Sequence, residues 1–179
     1  SEIEKVVEEA KKLLKRWEDE VRKHDKELKE VLDRWKKEVD DIKRRLEELL
    51  REVRRLKEEG RSDDRKLEEL KREIDKLLED LHRRSKRLVE DLKRTHDEVD
   101  DRSKKIKKEI RDRLKDIERR RGPVDELRKI VEDVERELDR LNDENRDSLR
   151  RVVEALEEIN KDLNRDVKRV KDELDKTRK

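Results

Sequence analysis

The 179-residue chain has no cysteine, methionine, phenylalanine or tyrosine, and only two glycines and one proline. Without cysteine there are no disulfides, no thiolate zinc sites and no thiol nucleophile. So few glycines and prolines exclude a sheet protein rich in tight turns. Hydrophobic residues make up 28%, against nearly half in an ordinary globular domain, which rules out a thick core. No apolar run approaches the length of a membrane span, and the first residues do not read as a signal peptide. A soluble chain with no membrane partner and no targeting signal is therefore expected.

What the chain has is charge. Asp, Glu, Lys and Arg account for 63% of it, with 57 basic against 55 acidic residues and a formal net charge of +2. Two states suit this composition. One is a disordered polyampholyte, too poor in apolar surface to bury a core. The other is a set of long helices with a thin apolar seam, which at two residues in seven needs about 29% apolar content. Periodicity decides between them.

The breakers divide the chain into three. Ser1 and Glu4 form a capping box, and nothing interrupts a helix until Gly60. Gly60 suits a left-handed C-terminal cap, and Ser62, Asp63 and Asp64 supply the next N-terminal signals. Gly122-Pro123 ends the second run and opens the third, with Pro123 at a first helical position. The expected helices cover about 2–59, 63–120 and 123–177, in one elongated domain spanning 1–179. Short links imply antiparallel neighbours, hence an all-α, up-down-up three-helix bundle.

The seam repeats every eighteen residues. Ile3, Val21 and Val39 correspond in the first helix, as do Ala10, Leu28 and Leu46. Ile74, Leu92 and Ile110 correspond in the second, and Val134, Val152 and Val170 in the third. Eighteen residues make five turns of an unstrained α-helix, so nearly straight helices are expected. Folding the second helix back about Gly60 pairs residues whose numbers add to about 120, and the third helix follows the first at an offset near 124. Apolar positions match along all three helices in this register. The disordered reading is rejected on that ground.

The same register aligns the exceptions. Trp17 falls with Ser103 and Asn142, and Trp35 with Ser85 and Asn160, each a candidate hydrogen-bonded layer. His24 falls opposite His96, with Thr95, Asn145 and Ser148 nearby. The positions eighteen away are apolar: Val6 and Ile42 for His24, Leu114 and Leu78 for His96, Leu127 and Leu163 for Asn145. Polar residues therefore stand where the repeat places hydrocarbon. Asp25 is read as pointing away from this level, His82 as a surface residue, and Asn164 is left unassigned.

Little else suggests chemistry. Two histidines without cysteine make a poor zinc set, so no metal is expected. There is no phosphate loop, H-E-x-x-H or nucleophile elbow. No catalytic residues, cofactor, small-molecule substrate or nucleic-acid partner are expected. The Arg119–Arg121 cluster is read as the ordinary basic end of a helix.

Near-equal helices, a five-turn repeat, Leu/Ile/Val layers and dense charged surfaces resemble de novo designed helical bundles, and the matched polar layers resemble engineered buried hydrogen-bond networks. The resemblance implies a scaffold, a switch component or a single-chain relative of designed hetero-oligomers. The leading expectation is a monomeric structural scaffold without enzymatic activity, made by recombinant cytoplasmic expression, its polar layers setting register because a slipped helix leaves buried groups unpaired. Two alternatives accompany it. One is an interaction module that exchanges helices with partner chains. The other is a pH-responsive bundle acting through His24 and His96. Spectrin-like repeats match less well, having shorter helices and tryptophans on different helices.

Overall fold

The computed structural model describes residues 1–60 and 64–177. They form three α-helices, α1 (Glu2–Glu58), α2 (Asp64–Arg121) and α3 (Asp125–Thr177), packed as an antiparallel three-helix bundle. Ser62 and Asp63 lie outside the described residues.

Local chemistry sets the helix ends. The Glu4 N–H donates to Ser1 Oγ at 3.3 Å, and the terminal ammonium lies 3.6 Å from the Glu4 carboxylate. One donor that α1 leaves unpaired is thus satisfied by the capping serine. Gly60 has φ 65° and its N–H donates to the Lys57 carbonyl at 3.3 Å. Gly122 has φ 83° and its N–H donates to the Glu118 carbonyl at 2.8 Å. Both adopt the left-handed conformation that closes a helix. Pro123 precedes α3 rather than opening it. The Val124 carbonyl accepts the Arg128 N–H at 3.0 Å, so Val124 is the half-helical residue at that end. Proline's fixed φ serves equally well just before a cap.

The two glycines yield a first prediction. A Cβ at either position meets nothing within 4 Å, so any cost of alanine lies in the backbone alone. Gly60→Ala and Gly122→Ala should each lower stability by about 1–2 kcal/mol in urea unfolding. Asn at the same positions should cost less. Equal midpoints for the Ala and Asn variants would contradict this account.

The chain divides into two compact units, each containing a segment of every helix. Unit 1 comprises Ser1–Lys29 and Asp91–Arg151, and unit 2 comprises Glu30–Glu90 and Val152–Lys179. In unit 1, Ala10, Trp17, Val21, Ile117, Val131 and Leu138 belong to one hydrophobic cluster. In unit 2, Leu49, Leu67, Ile74, Leu81, Leu156 and Leu163 are fully buried. Each such aliphatic side chain contributes roughly 1.5–3 kcal/mol by leaving water.

The eighteen-residue spacing is visible in the burial. Ala10, Leu28 and Leu46 are all buried, as are Ile74, Leu92 and Ile110. The expected seam is corrected at its margins: Val6 is buried, whereas Ile3 and Ile42 are only half-buried. The apolar face of α1 is wider than a strict seam, so its edges meet solvent. No large hydrophobic residue is exposed among the described ones.

Ion pairs cover the outside and follow the antiparallel register. Arg113–Glu9 and Arg102–Glu20 join α1 to α2 in unit 1, and Arg84–Glu38 and Arg45–Glu73 do so in unit 2. Exposed pairs of this kind contribute at most about 1 kcal/mol each. They match the register that the core imposes.

Candidate functional site

The candidate site is a set of polar side chains inside the bundle. In unit 1, Trp17 is 1% exposed and Ser103 0%. The indole N–H of Trp17 donates to Asn142 Oδ1 at 3.2 Å, and Asn142 Nδ2 donates to Ser103 Oγ at 2.5 Å. Trp17 and Ser103 do not bond each other. Asparagine is the bridge, because its amide carries an acceptor and a donor on one planar group.

Unit 2 holds the same arrangement. The Trp35 N–H donates to Asn160 Oδ1 at 3.0 Å, and Asn160 Nδ2 donates to Ser85 Oγ at 2.6 Å. This level is wetter: Ser85 and Asn160 are half-buried. The Arg84 guanidinium stands over the Trp35 ring at 6.0 Å from its centroid, within cation–π range. In both levels α1 supplies the indole, α2 the hydroxyl and α3 the amide.

The histidine level lies in unit 1 and is built differently. His24 and Asn145 are buried, at 6% and 0% exposure, and His96 is half-buried. The Asn145 Nδ2 lies 3.1 Å from His96 Nδ1, so the amide donates to an unprotonated ring nitrogen. Thr95 takes no part in this bond: its hydroxyl donates to the Asp91 carbonyl of its own helix at 2.9 Å. Thr95 instead lines, with His24 and Arg102, a cleft on the flank of the unit. Ser148 acts on Asp25, whose carboxyl it lowers, rather than on a histidine.

Asp25 corrects the sequence reading. It is half-buried, and its Oδ1 is enclosed without a hydrogen-bond partner. Two further atoms of this level share that condition, His24 Nε2 and Asn145 Oδ1. A signal for Asp25 was present in the sequence. Eighteen residues earlier stands Val7 and eighteen later Lys43, one apolar and one charged, the mixture expected of a boundary position rather than a solvated one. Asn164, in unit 2, also encloses an unpaired Oδ1, but its counterpart Arg146 is exposed and signals nothing.

Burial governs the titration of the level. It pushes the His24 imidazole below its ordinary value, outweighing the raising effect of Asp25 and Glu27, while nearby His96 and Arg102 lower it further. Burial pushes the Asp25 carboxyl up, against the lowering effects of His24, Ser148 and Lys29, and Glu144 raises it further. His82 is exposed. Among the described residues, no three His, Cys, Asp or Glu side chains gather in a way that holds a metal ion. No helix among them is long and apolar enough to cross a membrane. At the basic end of α2, Arg120 pairs with Glu2 at 2.6 Å and Asp116 at 2.8 Å, and Arg121 lies 3.5 Å from Glu2.

A solved structure described as "Computationally designed three helix bundle" is similar over 98% of this chain and 84% of its own, with a TM-score of 0.56 and 21% identity. At that identity the likeness establishes the fold, an all-α three-helix bundle. No protein-family model matches the sequence, and no curated protein matches it either.

Proposed function

We propose that the chain is a designed structural scaffold without enzymatic activity, and that its buried polar layers fix the alignment of its helices. The observation that carries this is the recurrence of one hydrogen-bond pattern. Trp17–Asn142–Ser103 returns as Trp35–Asn160–Ser85, shifted by one eighteen-residue repeat in every helix. An apolar seam of regular period tolerates slippage, because one Leu layer resembles the next. Bridging amides at defined levels do not, since a slipped helix leaves buried donors and acceptors unpaired at about 1–3 kcal/mol each. The similarity in fold to a computationally designed bundle supports a designed origin.

Single and combined substitutions test the reading. Asn142→Ala strands the Trp17 N–H and should lower stability by about 1–3 kcal/mol. Combining Trp17→Phe, Ser103→Ala and Asn142→Leu removes every partner together and should recover most of that loss. The combined variant should also lose uniqueness, giving extra amide NMR signals or mixed oligomers by native mass spectrometry, whereas the parent should give one set of signals and a monomer. One set of signals and a monomer from the apolar variant would overturn the role in alignment.

A further inference from the structure

The histidine level differs from the two tryptophan levels in three ways. First, it interrupts the core. The hydrophobic cluster of unit 1 extends to Val21, Val99 and Leu141 and stops there. Leu28, Leu92 and Leu149 are buried in the same unit but lie outside that cluster. Second, it encloses unpaired polar atoms from two helices, His24 Nε2 and Asp25 Oδ1 of α1 and Asn145 Oδ1 of α3. None of the six side chains in the tryptophan levels has such an atom. Third, its one bond between helices requires an unprotonated nitrogen, because the Asn145 amide donates to His96 Nδ1.

We infer that the His24–His96–Asn145 level is a proton-operated opening point: proton uptake by His24 loosens unit 1 at this level while the adjoining hydrophobic cluster stays closed. His24 is the buried imidazole of the level. Its Nε2 is enclosed without an acceptor, so a charged ring there is relieved only when water enters. A cleft lined by His24, Thr95 and Arg102 already reaches the level from one side.

The surrounding charges set the sign. On α1, Asp25 and Glu27 favour the imidazolium; on α2, His96 and Arg102 oppose it; on α3, Glu144 acts on Asp25. Burial is the largest influence and keeps His24 neutral in the closed form. The closed form is therefore favoured above the unfolded value of 6.5 and loses ground as pH falls through the lower folded value. Asp25 works in the opposite direction. Its carboxyl is raised from 3.8, so its protonation favours the closed form at the acid end of the range. Opening is greatest under mildly acidic conditions.

Hydrogen exchange with mass spectrometry tests this on the intact chain at about pH 7.5 and about pH 5.5, corrected for intrinsic exchange rates. Protection of segments 20–28, 92–99 and 141–149 should fall at the lower pH, by up to about tenfold. Segments 110–117 and 131–138 should hold theirs. A variant carrying His24→Ile, His96→Leu and Asn145→Leu, the residue types found one repeat away, should keep its protection at both pH values. Single His24→Ile separates the imidazole from Asp25 and should also keep it. Equal protection of the parent at both pH values, an equal fall in every segment, or the same fall in the triple variant would each overturn the inference.

Discussion

Trp17→Ala lowers stability by about 3–5 kcal/mol, the cost of emptying a large aromatic site in a packed core. Trp17 is 1% exposed and sits in the hydrophobic cluster of unit 1, where its removal leaves a gap that neighbouring side chains fill only in part. It also leaves Asn142 Oδ1 without its donor. Trp35→Ala is expected to cost less, although the indole makes the same bond. Its partners Ser85 and Asn160 are half-buried, so water reaches the gap and pairs with Asn160. Urea unfolding followed by far-UV circular dichroism compares the two variants directly. Trp17→Phe keeps most of the volume and isolates the lost hydrogen bond, at about 1–3 kcal/mol. Equal costs for Trp17→Ala and Trp35→Ala would show that the depth of the level is immaterial.

The opposite sign is expected of the histidine level. The combination of His24→Ile, His96→Leu and Asn145→Leu raises stability by about 3 kcal/mol or more at neutral pH. It removes two enclosed atoms without partners, His24 Nε2 and Asn145 Oδ1, and puts aliphatic carbon in their place. The bundle accommodates those types at equivalent positions, since Leu114 is 2% exposed and Leu127 and Leu163 0%. The gap between variant and parent should widen as pH falls below 6.5, because the neutral His24 that the parent's fold prefers becomes costly to keep. Denaturant midpoints across that range provide the measurement. A variant less stable than the parent at neutral pH would mean that the polar level contributes more by packing than it costs by burial.

The tryptophan levels were legible because two independent patterns agree on them. Trp17 and Trp35 break the aliphatic seam at one repeat spacing, and Ser103 with Ser85, and Asn142 with Asn160, break it at the same spacing on their own helices. A register derived from Leu, Ile and Val alone then brings each set together. The histidine level has no second copy to check against, so its membership was open. Thr95 shares the height of His96, yet a hydroxyl on a helix has a nearer acceptor in the carbonyl four residues back. Asp25 follows His24 by about 100° around α1, so on the sequence it points away from the level. Three helices in contact, however, enclose a wider arc than a two-helix seam, and Asp25 lies at its edge.

Helix number, order and direction followed from the sequence alone, because breakers confined to two short links and a five-turn apolar period leave a chain of this composition one way to bury its hydrocarbon. Which atoms of the polar levels find partners was decided only by the tertiary structure. Register brings side chains to the same height, but a hydrogen bond also requires distance and direction, and these depend on how three helix faces turn toward one another. Asn142 and Asn160 satisfy both neighbours under that constraint, while His24, Asp25 and Asn145 enclose atoms that do not.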